Sequence, residues 1–162
     1  MRGEEFERLF AEYANPLYAF FVYRTRDRVL AEDLVAETFE HVFRSRRRFD
    51  PRRGSEKNWI YSIGLNLLRD HGRRAVLEER SLEQVAAEGR DPVPRHAGIS
   101  FEDRDELERA LETLNDGERE ALALRFGADL TLREVARVLG EPAAALEKRI
   151  YRALAKLREE LE

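Results

Sequence analysis

The chain has 162 residues, of which 43% are hydrophobic and 38% charged, and a formal net charge of −4. That length accommodates one ordinary domain or two small ones. The absence of cysteine excludes disulfides, thiol catalysis and thiolate metal sites.

No apolar run approaches the roughly 18 residues that a membrane span needs. No signal peptide opens the chain, so the expected compartment is the cytoplasm and no membrane insertion is expected. The charge is unevenly spread. Residues 1–74 carry +3, residues 75–100 carry −2 and residues 101–162 carry −5. A basic first segment and an acidic last one argue for two different surfaces.

The first segment reads as helix. Phe6, Leu9, Phe10 and Tyr13 form an apolar stripe at helical spacing. Asn15-Pro16 predicts a break or kink, because proline lacks a donor and its ring crowds the preceding turn. Leu17, Phe20, Phe21 and Arg24 continue beyond it, with Tyr18 and Tyr23 at the edges of the same core. A second helix is predicted from Arg28 to Arg44. Leu34, Val35, Thr38, Phe39 and Val42 can point inward. Asp33, Glu37, Glu40 and His41 share an outer face. Spacing alone leaves two readings of that face, a solvated surface or a docking stripe for a basic or amphipathic partner helix.

The stretch Ser45–Arg74, SRRRFDPRRGSEKNWIYSIGLNLLRDHGRR, opens with the basic cluster Arg46 to Arg48. Phe49-Asp50-Pro51 breaks the preceding helix, and Gly54 and Ser55 complete a tight loop. Ile60, Ile63, Leu67 and Leu68 then fall on one helical face. The neighbouring face carries Trp59, Ser62, Asn66, Arg69 and Arg73. An aromatic ring stacks on unpaired bases, asparagine pairs with a base edge and arginine fits phosphate. The same pattern also suits a surface helix with a core tryptophan.

Residues 75–100 read as a linker. Ala75 to Glu88 can form a loose helix, with Ser81 and Gln84 in capping-box spacing. The prolines and glycines from Gly89 to Gly98 end regular structure.

Residues 101–162 read as a helical bundle. Leu107, Ala110, Leu111 and Leu114 repeat at helical spacing. Asn115 and Glu118 form a capping-box pattern that starts the next helix, with Ala121, Leu122, Leu124 and Phe126 on its buried side. Thr131 and Glu134 repeat the pattern before a short helix burying Leu132, Val135, Ala136 and Leu139. Gly140 closes it, and Pro142 opens the last helix. That helix is expected to bury Leu146, Ile150, Ala153, Leu154, Leu157 and Leu161. The pair fits a helix-turn-helix, and equally a plain helical hairpin. The fold class is therefore all-α: two small helical domains joined by a flexible linker. No catalytic motif is present, and His41, His71 and His96 sit in no ligand-like pattern. Neither an enzyme, a metal nor a cofactor is expected.

Three blocks together carry a resemblance. They are AEDLVAETFEHVFR (Ala31 to Arg44), RRRFDPRRGSEKNWIYSIGLNLLRDHGRR (Arg46 to Arg74) and LETLNDGEREALALRFGADLTLREVARVLGEPAAALEKRIYRALAKLREEL (Leu111 to Leu161). In this order the chain resembles a bacterial RNA polymerase sigma factor of the extracytoplasmic-function (ECF) group. The resemblance implies a first domain over 1–74, a linker over 75–100 and a helix-turn-helix domain over 101–162. It implies core RNA polymerase and promoter DNA as partners, with an anti-sigma factor as a further candidate. Asp33, Leu34, Glu37 and Phe39 match the family's polymerase-docking core, with Ala36 where glutamine is common. Phe49, Asp50, Trp59, Asn66, Arg69 and Arg73 match the part that opens the −10 element and holds an extruded base. Glu56 stands there in place of a common aromatic or apolar residue.

Ala144, Ala145, Lys148, Arg149 and Arg152 would meet the −35 element, with Lys156 as a further phosphate candidate. Glu147 replaces a usual lysine and Leu154 a usual arginine. Alanines touch thymine methyls but donate no hydrogen bonds, so shallow upstream recognition is expected. The alternative is a sigma-like regulatory protein that keeps the fold without productive promoter recognition.

Overall fold

The computed structural model describes residues 3–79, 106 and 109–161. The described residues are helical apart from short connections, in agreement with the all-α expectation. The chain divides into two compact units, Met1–Asp91 and Pro92–Glu162. The expected linker falls mostly outside the described residues.

In unit 1, α1 spans Gly3–Thr25. It includes Pro16, so of the break or kink expected there the break does not form. Pro16 and Asn15 are exposed, so the carbonyl that loses its partner can be solvated. Leu9, Leu17, Phe20, Phe21 and Val22 are buried on both sides of it, and this continuous stripe holds the helix to its neighbours. Phe10, expected inside, is 47% exposed.

Helix α2 covers Arg28–Arg44, with the Asp27 side chain accepting from the Leu30 N–H as N-cap. Aromatic rings join it to α1. Phe10 meets Phe39 at 5.0 Å between centroids, and Phe6 meets Phe43 at 5.3 Å. After a single 3₁₀ turn at Arg46–Arg48, Asp50 and Pro51 make a β-turn closed by Arg53 N–H donating to the Asp50 carbonyl at 3.0 Å. Helix α3 then runs from Glu56 to Glu79, so it continues past Arg74.

Ile60, Tyr61, Gly64, Leu65 and Leu68 form the buried side of α3. Ile63 and Leu67 are only half-buried, so the apolar face is rotated from the expected one toward Tyr61 and Leu65. Gly64 marks the closest approach. A Cβ built there would lie 3.1 Å from Phe21 Cζ and 3.2 Å from Leu17 Cδ1.

In unit 2, residues 109–112 form a helical turn that buries Ala110 against the rest. Helix α4, Asp116–Leu122, starts at a complete capping box between Asn115 and Glu118. It continues as a π-helical turn, Ala123–Gly127. That turn adds a residue to the helical repeat and shifts the buried face. Ala123 and Leu124 stay buried while Phe126 is 52% exposed, correcting its expected burial.

Helix α5, Leu132–Leu139, begins at the Thr131/Glu134 capping box. Its buried residues are Val135 and Val138, with Leu132, Ala136 and Leu139 half-buried. Gly140 adopts φ 67° and ψ 33°, a left-handed C-cap that a side chain disfavours. Helix α6, Ala143–Leu161, follows and packs on α4 and α5. It buries Leu146, Ile150 and Ala153; Leu154 and Leu161, expected inside, are 40% and 45% exposed.

The two α3 glycines provide a paired stability test. At Gly72 nothing lies within 4 Å of an added Cβ, so Gly72→Ala should stabilise unit 1 by about 1 kcal/mol through helix propensity. At Gly64 the same gain meets overpacking of about 1–3 kcal/mol. Thermal unfolding should therefore show a raised midpoint for Gly72→Ala and an unchanged or lowered one for Gly64→Ala. Equal increases would show that the crossing tolerates a methyl group.

Candidate nucleic-acid interface

With Ile60, Tyr61, Gly64, Leu65 and Leu68 turned inward, the opposite side of α3 is determined by the helical repeat. Asn66, Arg69 and Arg73 are exposed there, and Trp59 and Ser62 are half-exposed. The face expected from spacing is thus assembled. Arg73 holds Asp70 at 3.0 Å, with side chains 75% and 52% exposed. A pair so wet is worth about 1 kcal/mol or less, so Arg73 can exchange its carboxylate for another anion at small cost.

The loop before α3 adds an aromatic pair. Phe49 and Trp59 lie 5.0 Å apart between ring centroids with planes 35° apart, and both remain partly exposed. Asp50 orders the loop beneath them, accepting from the backbone N–H of Arg52 at 3.0 Å and from its Nε at 3.2 Å. The backbone N–H first, then the guanidinium, hold its carboxyl below the ordinary carboxylate value. Glu56 points elsewhere. Its two oxygens receive Arg8 Nη2 at 2.9 and 3.2 Å, tying the start of α3 to α1.

Asp33 and Glu37 are exposed on α2, and neither makes an ion pair among the described residues. Leu34 and Phe39 lie in the core, 2% and 3% exposed. Their burial sets the rotation of α2 and so presents Asp33 and Glu37. Glu40 is exposed on the same side and pairs with Arg44 at 2.9 Å. The basic cluster divides. The Arg46 guanidinium sits 4.1 Å from the Phe43 ring centre and donates to the Phe43 carbonyl at 2.6 Å, whereas Arg47 and Arg48 are exposed.

In unit 2, Ala144, Ala145, Lys148 and Arg152 are exposed on α6. Arg149 is half-buried and holds Glu141, in the turn between α5 and α6, at 2.8 Å. Lys156, exposed on the same helix, donates to buried Glu118 at 2.7 Å.

Two family models match this chain: sigma-70 region 2 over residues 9–77 and sigma-70 region 4 over residues 110–159. RNA polymerase sigma factor CarQ of Myxococcus xanthus is 32% identical over 160 residues, covering 96% of this chain and 88% of that protein.

The chain belongs to the ECF RNA polymerase sigma factors.

It directs transcription initiation and is not an enzyme, and its partners are core RNA polymerase and promoter DNA. ECF RNA polymerase sigma factor BldN of Streptomyces coelicolor is 30% identical over 96% of this chain, and the chain spans 60% of that protein's length. The sigma factor RpoE of Bartonella quintana, solved in complex with the anti-sigma factor NepR, shares the fold. The TM-score is 0.78 and the identity 21%, over 98% of this chain and 97% of that one. Among the described residues no helix of this sigma factor is long and apolar enough to cross a membrane.

Sequence reasoning missed Tyr151, which is 75% exposed on α6. The signal was present, since Tyr151 lies three residues from Lys148 and off the Leu146, Ile150, Ala153 stripe. It also missed the use of Lys156 and Arg149 within the domain, because pairs 38 and eight residues apart follow from packing and not from local spacing.

The Glu118–Lys156 pair predicts an acid response. Burial alone would push the Glu118 carboxyl up, but the Lys156 ammonium and the Asn115 N–H outweigh it and hold it below the ordinary value of 4.5. A carboxyl lowered on folding stabilises the fold above its unfolded value and loses that contribution as pH falls through the folded one. Unit 2 should therefore lose stability below about pH 4.5. Lys156→Ala should cost about 1–3 kcal/mol at neutral pH and flatten the acid limb, as read by circular dichroism of the full chain. An unaltered acid limb would show that the pair contributes little.

Proposed function

We propose that the first part of this sigma factor, residues 1–74, both docks on core polymerase and opens the −10 element. Residues 101–162 recognise the upstream −35 element, and residues 75–100 link the two. The observation that carries the reading is the α3 face with its loop. A half-exposed aromatic pair at a carboxylate-ordered turn begins a helix face along which an amide and two guanidinium groups follow. Taking a base out of the duplex stack costs a few kcal/mol. Stacking on an aromatic side chain returns about 1–3 kcal/mol per base.

In this reading Phe49 and Trp59 receive the extruded base, Asn66 reads a base edge and Arg69 and Arg73 hold phosphates. Asp50 shapes the loop. Asp33 and Glu37 form the polymerase contact, while Leu34 and Phe39 orient them from inside. In unit 2, Ala144, Ala145, Lys148 and Arg152 face the upstream element. Arg149 acts through the turn residue Glu141. The cytoplasm is the compartment that holds these partners. An anti-sigma factor completes the proposed partner set, on the ground of the fold shared with a sigma factor solved in such a complex.

Two substitutions separate the roles. The double change Asp33→Ala, Glu37→Ala should weaken binding to core polymerase with helix content unchanged by circular dichroism. Arg73→Ala should leave that binding intact and lower the salt slope of holoenzyme–promoter binding by about one. Unchanged core affinity in the double variant removes the α2 face from the docking surface. An unchanged salt slope removes Arg73 from the phosphate contacts.

A further inference from the structure

Helix α6 turns one continuous strip away from its core. With Leu146, Ile150 and Ala153 buried, the 3.6-residue repeat places Ala144, Lys148, Tyr151 and Ala155 in a line on the opposite side, flanked by Arg152. All five are exposed. Tyr151 is the outlier among them. It is a large ring 75% exposed, with no hydrogen bond or ring contact among the described residues. Arg149 lies off this strip, drawn to Glu141 at 2.8 Å.

We propose that Tyr151 is a specificity-determining residue of this sigma factor, reading a thymine methyl group in the upstream promoter element from the strip Ala144–Lys148–Tyr151. The inference rests on the upstream role given above to α6 and assigns it to a side chain. The dimensions permit it. Ala144 and Tyr151 are seven residues apart, about 10.5 Å along the helix axis, and the major groove is about 12 Å wide. Two turns of α6 therefore fit within the groove, with Lys148 and Arg152 placed for its phosphate walls.

The alanines at the tip can touch only a methyl group that comes close to the helix. A ring projecting from the next turns reaches further. In the major groove, thymine is the base that offers a methyl group, and apolar side chains recognise it by contact. The Tyr151 hydroxyl also supplies one donor and acceptor at the ring's far end. Because the ring is exposed, changing it should leave the fold intact.

The test uses holoenzyme assembled from the full chain and core polymerase. Promoters are first selected from a library randomised at both elements. Binding is then measured on the selected duplex with each upstream thymine replaced in turn by uracil, which removes only the methyl group. The parent should lose about fourfold in affinity at one position, the value of one buried methyl. Tyr151→Ala should bind more weakly, be insensitive to that replacement and give a flattened profile there. Tyr151→Phe should keep the methyl sensitivity.

Equal uracil sensitivity in parent and Tyr151→Ala overturns the proposal. So does a library selection that finds the −10 element and no upstream element, although initiation itself then stands. Failure of the parent to initiate on any selected promoter would instead strike the function proposed for the whole chain.

Discussion

Because residue 64 has no side chain, α3 can lie against the Phe21 ring and Leu17, with Thr38 Oγ1 3.5 Å from where a Cβ would be. That crossing fixes which side of α3 is buried. Tyr61, Leu65 and Leu68 follow Gly64 inward, so Trp59, Asn66, Arg69 and Arg73 are left outside. The candidate DNA face of unit 1 is thus a consequence of packing, with no dedicated scaffold beneath it. Buried Thr38 takes part in the same junction. Its hydroxyl donates to the Leu34 carbonyl at 2.6 Å, which satisfies a polar group that the close approach would otherwise strand. One helix pair therefore serves two surfaces: the inward side of α2 supports α3, and its outward side presents Asp33 and Glu37.

Unit 2 depends on local signals more than on one crossing. Two capping boxes and a left-handed glycine set where its helices begin and end. Two ion pairs then tie α6 to its neighbours, Arg149 to the turn and Lys156 to α4. These cations are used inside the domain. In a unit whose last 62 residues carry net −5, that leaves Lys148 and Arg152 as the cations on the outward strip. Attraction to DNA through charge alone should be weak there, so contacts of shape and methyl groups gain relative weight.

Much of this was legible from spacing. The bounds of α2 fall at the expected Arg28 and Arg44. Both capping boxes and the Gly140 cap form, and the polar face of α3 assembles because its residues repeat at 3.6-residue spacing. What spacing could not show has identifiable causes. Pro16 stays within α1 because the stripe on either side is buried in the same core. Phe126 turns outward because the π-helical turn changes the repeat, an event that needs the tertiary context of the following loop. Leu34 and Phe39 carried both an inward assignment and a docking motif, and only packing shows that both are buried. The identity of the family rested on the order of three blocks. The second block is specific, whereas the helix-turn-helix block alone would match many proteins.

In the proposed function, the Phe49–Trp59 pair takes up a base from the opened −10 element. The direct measurement is fluorescence of 2-aminopurine, placed at each −10 position of a selected promoter, on adding holoenzyme. Emission should rise as the duplex opens at several positions. At one position it should then be quenched by stacking on the pair, and Trp59→Ala should abolish that quenching while opening persists at its neighbours. Identical position-by-position emission for parent and Trp59→Ala would contradict the claim.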